Sequence, residues 1–204
     1  EVVDLRTVLD KDCELNILTA RDEKGLAVLR HTASHVMAEA VQTLFPEAKV
    51  AIGPSIDTGF YYDFECQSFS RDDLDAIEKE MKKIIKKGAK IERFTKSRED
   101  AIAFFKEKNE PYKVELIEDL PEGEEISFYS QGDWVDLCAG PHLMSTKGIK
   151  AFKLLSSSGA YWRGDVNKHM LTRIYGTAYA TKDELKEHLT QLEEAKKRDH
   201  NKLG

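Results

Sequence analysis

No apolar run in these 204 residues approaches the length needed to span a bilayer, which excludes a membrane helix. Cysteine is scarce. Only Cys13, Cys66 and Cys138 occur, an odd number without tight spacing, which argues against a disulfide framework and fits a reducing compartment. Basic charge does not predominate either: 31 Lys and Arg against 37 Asp and Glu give a formal net charge of -6, unlike a general nucleic-acid binder. There is no internal repeat and no low-complexity tract. The opening "EVVDLRTVLDKDCELNILTA" has neither the basic start nor the apolar core of a secretory signal. What remains, with 41% hydrophobic and 33% charged residues, is a soluble globular chain of one large or two small domains, expected in the cytoplasm. It begins at Glu1 rather than Met and reads as a piece of something longer.

Along the chain, "CELNILTA" alternates and ends at the polar break "RDEKG", so residues 1–20 are expected to be the last strands of a preceding unit. Apolar positions from Leu26 to Leu44 recur at helical spacing, and Pro46 closes the run, predicting a helix over about 23–45. Ser70 with Asp73 three residues on makes a capping-box-like start for a second helix that stops at Gly88. A third starts at Ser97 and ends before Pro111; a charged last helix over 182–198 reads as a linker. Strands are expected in "AKVAIG", "GFYYDF", "YKVELI", "ISFYS", "WVDLC" and "AFKLL", so the fold class is α+β, with mixed or antiparallel sheets packed against helices.

Two short patterns carry chemistry. In "RHTASHVM", His31 and His35 stand four apart on a helix, which puts both imidazoles on one face. In "WVDLCAGPH", Gly140-Pro141 forces a turn that can aim Cys138 and His142 at one point. Together they make either a tetrahedral zinc set or, without metal, a polar hydrolytic pocket with imidazoles for acid and base work near neutral pH. The stretch "KKIIKKGAKIERFTK" is a local basic patch that can meet a phosphate backbone or serve as a solvated face.

At this point the motifs "RHTASHVM", "VAIGPSIDTGFYYDF", "PYKVEL", "WVDLCAGPH", "GAYWRGDVNKHMLTRIYGTAY" and "KKRDHNKLG" together resemble the N-terminal editing region of bacterial threonyl-tRNA synthetases. The paired His/Cys motifs are shared with alanyl-tRNA synthetase editing domains, whereas "GFYYDF" and "YWRGD…RIYGTA" favour the threonyl family. The resemblance implies three parts: the end of a small ubiquitin-like domain at 1–20, an editing domain at 21–181 whose second additional domain starts near 135, and a linker helix at 182–204. It implies hydrolysis of serine wrongly esterified to threonine tRNA, within a parent that ligates threonine to that tRNA using ATP.

Carried over residue by residue, the family's pocket falls on His31, His35, Tyr62, Lys113, Asp136, Cys138 and His142, with Gly53 close to the terminal adenosine. His31 and Lys113 are expected to position and activate water and meet the ribose hydroxyls. Asp136 is expected to hold the substrate's α-ammonium, and Tyr62 a ribose or serine hydroxyl; His35, Cys138 and His142 shape the pocket. Lys86, Lys87, Lys90, Arg163 and Arg173 are candidates for tRNA contact, the two arginines equally candidates for internal ion pairs. The resemblance implies no metal for editing, with zinc on His31, His35, Cys138 and His142 as the alternative. The expected partner is the acceptor end of tRNA(Thr) carrying serine, with no membrane or DNA, a monomeric fragment and a homodimeric parent. A zinc-dependent alanyl-type hydrolase and a non-catalytic tRNA-positioning module are the competing readings.

Overall fold

The computed structural model describes residues 1–204. The helical apolar spacing closes into α1 (Glu23–Leu44), which buries Leu29, Ala33, Val36, Met37, Ala40 and Val41. α2 (Arg71–Lys87) starts at a true capping box: the Ser70 hydroxyl accepts from the Asp73 amide while the Asp73 carboxylate accepts from the Ser70 amide. It stops at Gly88, whose φ of 66° is the left-handed conformation a helix end favours in glycine. The Ser97 hydroxyl caps α3 (Arg98–Glu107). α5 (Lys182–Lys202) buries none of its residues and runs four beyond the expected end.

Two expectations are corrected. Residues 111–118, read as strand from "YKVELI", form α4 (Pro111–Glu118). Proline suits a helix's first turn, because φ is already set and the missing N–H would have no intrahelical partner. Tyr112, Lys113 and Ile117 are the buried positions, one face of a helix rather than alternate residues of a strand. The expected strands in residues 1–20 do not form: apart from turns at residues 5–6 and 20 and a bend at residue 11 this stretch has no regular structure, and residues 7–19 are exposed. No other segment pairs with it, and a lone strand has no ladder to hold it.

The strands β1 (Lys49–Val50), β2 (Ser55–Ile56), β3 (Gly59–Glu65), β7 (Ala151–Tyr161) and β8 (Met170–Tyr179) make one antiparallel sheet, ordered β1-β3-β8-β7 with β2 beside β3. A second, three-stranded sheet pairs β4 (Ile91–Lys96), β5 (Ile126–Gln131) and β6 (Trp134–Leu137) in that order. "AFKLL" is only the start of β7: Ser156, Ser157 and Ser158 continue it because β8 pairs with them through Tyr175, Ile174 and Arg173. β4 and β8 were not read as strands from the sequence.

The main core lies where α1 crosses the larger sheet, joining Val36, Met37 and Val41 with Phe60, Phe64, Leu154 and Ile174, and with Leu74, Ile77 and Met81 of α2. A smaller core joins α3 and α4 to the second sheet through Ala101, Phe105, Ile117, Ile126 and Phe128. Burying a Phe or Ile side chain stabilises by about 1.5–3 kcal/mol, so each sheet is anchored mainly by its own helices. Between the two cores runs a seam, faced by α1 on one side and by β6 and α4 on the other. No helix is long and apolar enough to cross a membrane.

Candidate active site

The polar residues singled out in the sequence meet in that seam. α1 presents His31 and His35 with ring centroids 5.1 Å apart. β6 carries Asp136 inward and delivers Cys138 at its end; the chain then reverses through Gly140 (φ 78°) and the cis Gly140-Pro141 bond to His142. Gly140 is required there, because a Cβ would collide with the Tyr129 hydroxyl. The His142 ring stacks on His31 at 4.1 Å and lies 4.3 Å from His35. Cys138 Sγ is 3.4 Å from His31 Nε2 and 3.2 Å from His142 Nε2.

Asp136, 1% exposed, is the hub. Tyr62 donates its hydroxyl to Oδ2 at 2.7 Å, and His35 Nε2 lies 3.4 Å from the same oxygen. Oδ1 makes no hydrogen bond of good angle; its partner is the Lys113 ammonium at 2.6 Å, so this contact is an ion pair. Lys113 is itself 2% exposed and faces the Tyr62 ring at 5.4 Å. Sequence reasoning gave Asp136 to the substrate's α-ammonium; here that carboxylate holds the chain's own ammonium. Gly53 packs on the Tyr62 ring with no space for a Cβ, and its carbonyl accepts from Ser34 Oγ at 2.8 Å.

Burial sets the protonation states. It lowers His31, and lowers His35 and His142 well below 6.5, with neighbouring imidazoles adding to the effect on His35 and His142. All three are neutral imidazoles near pH 7, each able to give one hydrogen bond and accept one. Burial also pushes the Cys138 thiol up to about 12, so it is no thiolate nucleophile, and with nearby Asp136 it raises Tyr62, leaving a phenol that donates. The site therefore holds one paired charge of each sign among neutral donors and acceptors.

The ligand atoms of His31, His35, Cys138 and His142 all lie within 4.8 Å of one another. Zinc bonds of about 2.0–2.3 Å place tetrahedral ligand atoms roughly 3.3–3.8 Å apart, so this donor set fits zinc after small side-chain shifts. Solvent reaches the cluster at His31, which lines a cavity of about 210 Å³ with Val2, Lys24, Val28, Ser55 and Pro141. A larger cavity of about 490 Å³ lies between residues 1–8 and Tyr129, touching the Gly140 turn but none of the four ligand candidates. Only the smaller one opens on the chemistry.

The tRNA candidates divide. Lys86, Lys87 and Lys90 are exposed, and Lys90 bridges to Ser145, three residues beyond His142. Arg163 and Arg173 are engaged in ion pairs: Arg173 clamps Asp63 through Nε at 2.7 Å and Nη2 at 3.0 Å, and Arg163 pairs with Asp119 and Glu115. Sequence reasoning missed Thr32, Tyr129 and Trp134, which pack or bond against the histidines, and Asp4 and Arg6, which bond the backbone of His142. Thr32 could have been found as the polar residue beside His31 in "RHTASH"; Asp4 and Arg6 carry no such signal.

The comparisons with known proteins give first a class and then particular relatives. Residues 126–175 match the family described as threonyl and alanyl tRNA synthetase second additional domain, a stretch from the start of β5 into β8 that contains Asp136, Cys138 and His142. Over its whole length the chain is 62% identical to a threonine–tRNA ligase of Acetivibrio thermocellus, 62% to one of Clostridium novyi and 64% to one of Clostridium botulinum (strain Hall). It spans about a third of these relatives, 32% of each. Both findings agree with the editing-region resemblance read from the motifs and set the chain in an aminoacyl-tRNA synthetase context.

Proposed function

We propose that this chain is the editing part of a threonyl-tRNA synthetase and hydrolyses the ester between serine and the 3′ adenosine of tRNA(Thr). The observation that carries the reading is the Asp136 hub. A buried carboxylate joined to an ammonium, a phenol and neutral imidazoles, beside a small cavity at His31, suits a small cationic ester rather than a structural brace. The physical need is plain: serine is threonine without a methyl, and a synthetic site separates them by only about 1–3 kcal/mol, so a second site removes the smaller product.

In this reading the α-ammonium of the seryl group replaces Lys113 on Asp136, forming a charge-assisted hydrogen bond there. The freed Lys113 and the neutral His31 then orient a water and the ribose hydroxyls. As the water oxygen adds to the ester carbonyl carbon, neutral His31 accepts its proton and the Lys113 ammonium meets the oxyanion. The oxyanion collapses, the bond to the 3′ oxygen breaks, that oxygen takes the proton back from His31, and serine and free tRNA leave. His35, Cys138 and His142 bound the side-chain pocket, and threonine is excluded by its extra methyl. Lys86, Lys87 and Lys90 face the phosphate backbone. The same reading puts the reaction in the cytoplasm, with this chain a monomer and the longer ligase, which joins threonine to tRNA(Thr) using ATP, a homodimer.

A second reading is favoured by one observation, the four donor atoms within 4.8 Å. There zinc, held by His31, His35, Cys138 and His142, would polarise the ester or a bound water. The deciding experiment is deacylation of seryl- and threonyl-tRNA(Thr) by excess protein, with and without chelator. Loss of serine only, unchanged by chelator, is expected. Loss abolished by chelator overturns the metal-free mechanism, and no loss of serine overturns the editing assignment in favour of a tRNA-positioning module.

A further inference from the structure

We propose that Thr32 is a positioning residue of this site: its hydroxyl sets the ring orientation and tautomer of His142. Thr32 lies one residue from His31 on α1 but is fully buried, turned toward the loop that follows β6. Its Oγ1 is 2.9 Å from His142 Nδ1 and accepts the Leu143 backbone N–H at 3.0 Å. One hydroxyl thus ties the helix carrying His31 and His35 to the segment carrying Cys138 and His142.

Three restraints converge on His142, and only one acts on its ring by hydrogen bonding at Nδ1. The backbone N–H of His142 is held by Asp4 Oδ2 at 3.3 Å, and its carbonyl accepts from Arg6 Nη1 at 3.2 Å. Asp4 is fixed in turn by the Tyr129 hydroxyl at 2.8 Å, and Tyr129 packs edge-on against the His142 ring. With the backbone anchored on both sides and the ring packed against His31, His35 and Tyr129, what is left open is a ring flip that exchanges nitrogen and carbon positions, and the choice of protonated nitrogen. Thr32 fixes the orientation by occupying Nδ1, which leaves Nε2 facing Cys138 Sγ at 3.2 Å. A neutral imidazole carries one proton, so the group bonded to one nitrogen decides what the other can offer. At metal sites, outer partners that orient a ligating histidine commonly matter by about tenfold to a hundredfold, and the same restraint acts on an unmetallated ring.

The kinetic arm of the test rests on the editing reading; the spectroscopic arm does not. Thr32→Val keeps shape and removes the hydroxyl, and Thr32→Ser restores the hydroxyl without the methyl. In chelator-treated full chain at fixed pH, ¹⁵N ring shifts of His142 are expected to show one tautomer in wild type and in Thr32→Ser, and a mixture in Thr32→Val. For seryl-tRNA(Thr) hydrolysis, Thr32→Val is expected to lower kcat at least tenfold with KM within threefold, and Thr32→Ser to recover most of it. An unchanged His142 tautomer in Thr32→Val overturns the proposal. So does a kcat lowered equally by both substitutions, which marks a packing role. Should wild type hydrolyse nothing, the editing reading fails while the ring spectra still decide the role of Thr32.

Discussion

The core under the larger sheet and the seam beside it share one helix, yet they are built on opposite principles. On one side α1 packs Val36, Met37 and Val41 against Phe60, Phe64 and Ile174, apolar contacts that are non-directional and tolerate exchange. On the other it offers His31, Thr32 and His35 to Asp136, Cys138 and His142, where each partner has a required atom and distance. The core stabilises; the seam costs. Taking Lys113 and Asp136 out of water carries a desolvation penalty that their attraction offsets only through good geometry, so apolar side chains of like volume would serve stability as well or better. That the chain keeps the pair is the physical argument for function.

The sharpest way to break this contrast is to remove one charge. Asp136→Ala leaves the Lys113 ammonium buried and unpaired, and is expected to cost about 3–5 kcal/mol in urea unfolding. Replacing both partners, as Asp136→Leu with Lys113→Met, is expected to recover most of that loss while abolishing any deacylation. If the double variant is as unstable as the single one, the pair is a stabilising brace and the contrast fails.

The core counterpart is Leu154→Ala, expected to cost about 2–5 kcal/mol by leaving a cavity. It should leave deacylation per folded molecule unchanged, because Leu154 lies on β7, which pairs with β8 and not with the strands that carry Tyr62 and Asp136. A loss of rate beyond the loss of folded protein would couple the two regions.

pH separates them next. Burial holds folded His35 and His142 well below 6.5, so under pH 6.5 the unfolded chain binds protons that the folded one refuses. Their contribution is complete above about pH 6.5 and falls as the pH drops toward the folded values, by up to about 1.4 kcal/mol per pH unit for each histidine. Glu39 and Glu110, raised chiefly by burial, act with the opposite sign above 4.5. Urea midpoints at pH 7.5 and 5.5 are therefore expected to converge in His35→Gln/His142→Gln relative to wild type. The smallest effect is local: Ser70→Ala removes the α2 cap, at about 1 kcal/mol, with no change in deacylation.

Periodic features were legible in the sequence. Helical spacing gave α1 nearly to the residue, and the Ser70–Asp73 pair and Gly88 marked both ends of α2, because these signals are local. α4 was misread because "YKVELI" satisfies a period of two as well as a helical face, and only Pro111 argued for the helix. β8 was missed since its polar and small residues, Thr172, Arg173, Gly176 and Thr177, gain strand geometry from pairing with β3 and β7 rather than from their own pattern. At the site, the locally aimed pairs His31/His35 and Cys138/His142 were readable. That Lys113 would sit on Asp136, or that Asp4 and Arg6 would bond the His142 backbone, depends on contacts across more than 20 to more than 130 residues, which no local pattern encodes.

The most direct test of the central claim is the single-turnover rate of seryl-tRNA(Thr) deacylation by wild type, Lys113→Met and His31→Ala, with unfolding midpoints recorded alongside. Rates at least tenfold lower in both variants, in molecules shown to be folded, are the predicted result. Rates within tenfold of wild type in folded Lys113→Met would contradict the account and leave the buried ion pair without a role in the chemistry.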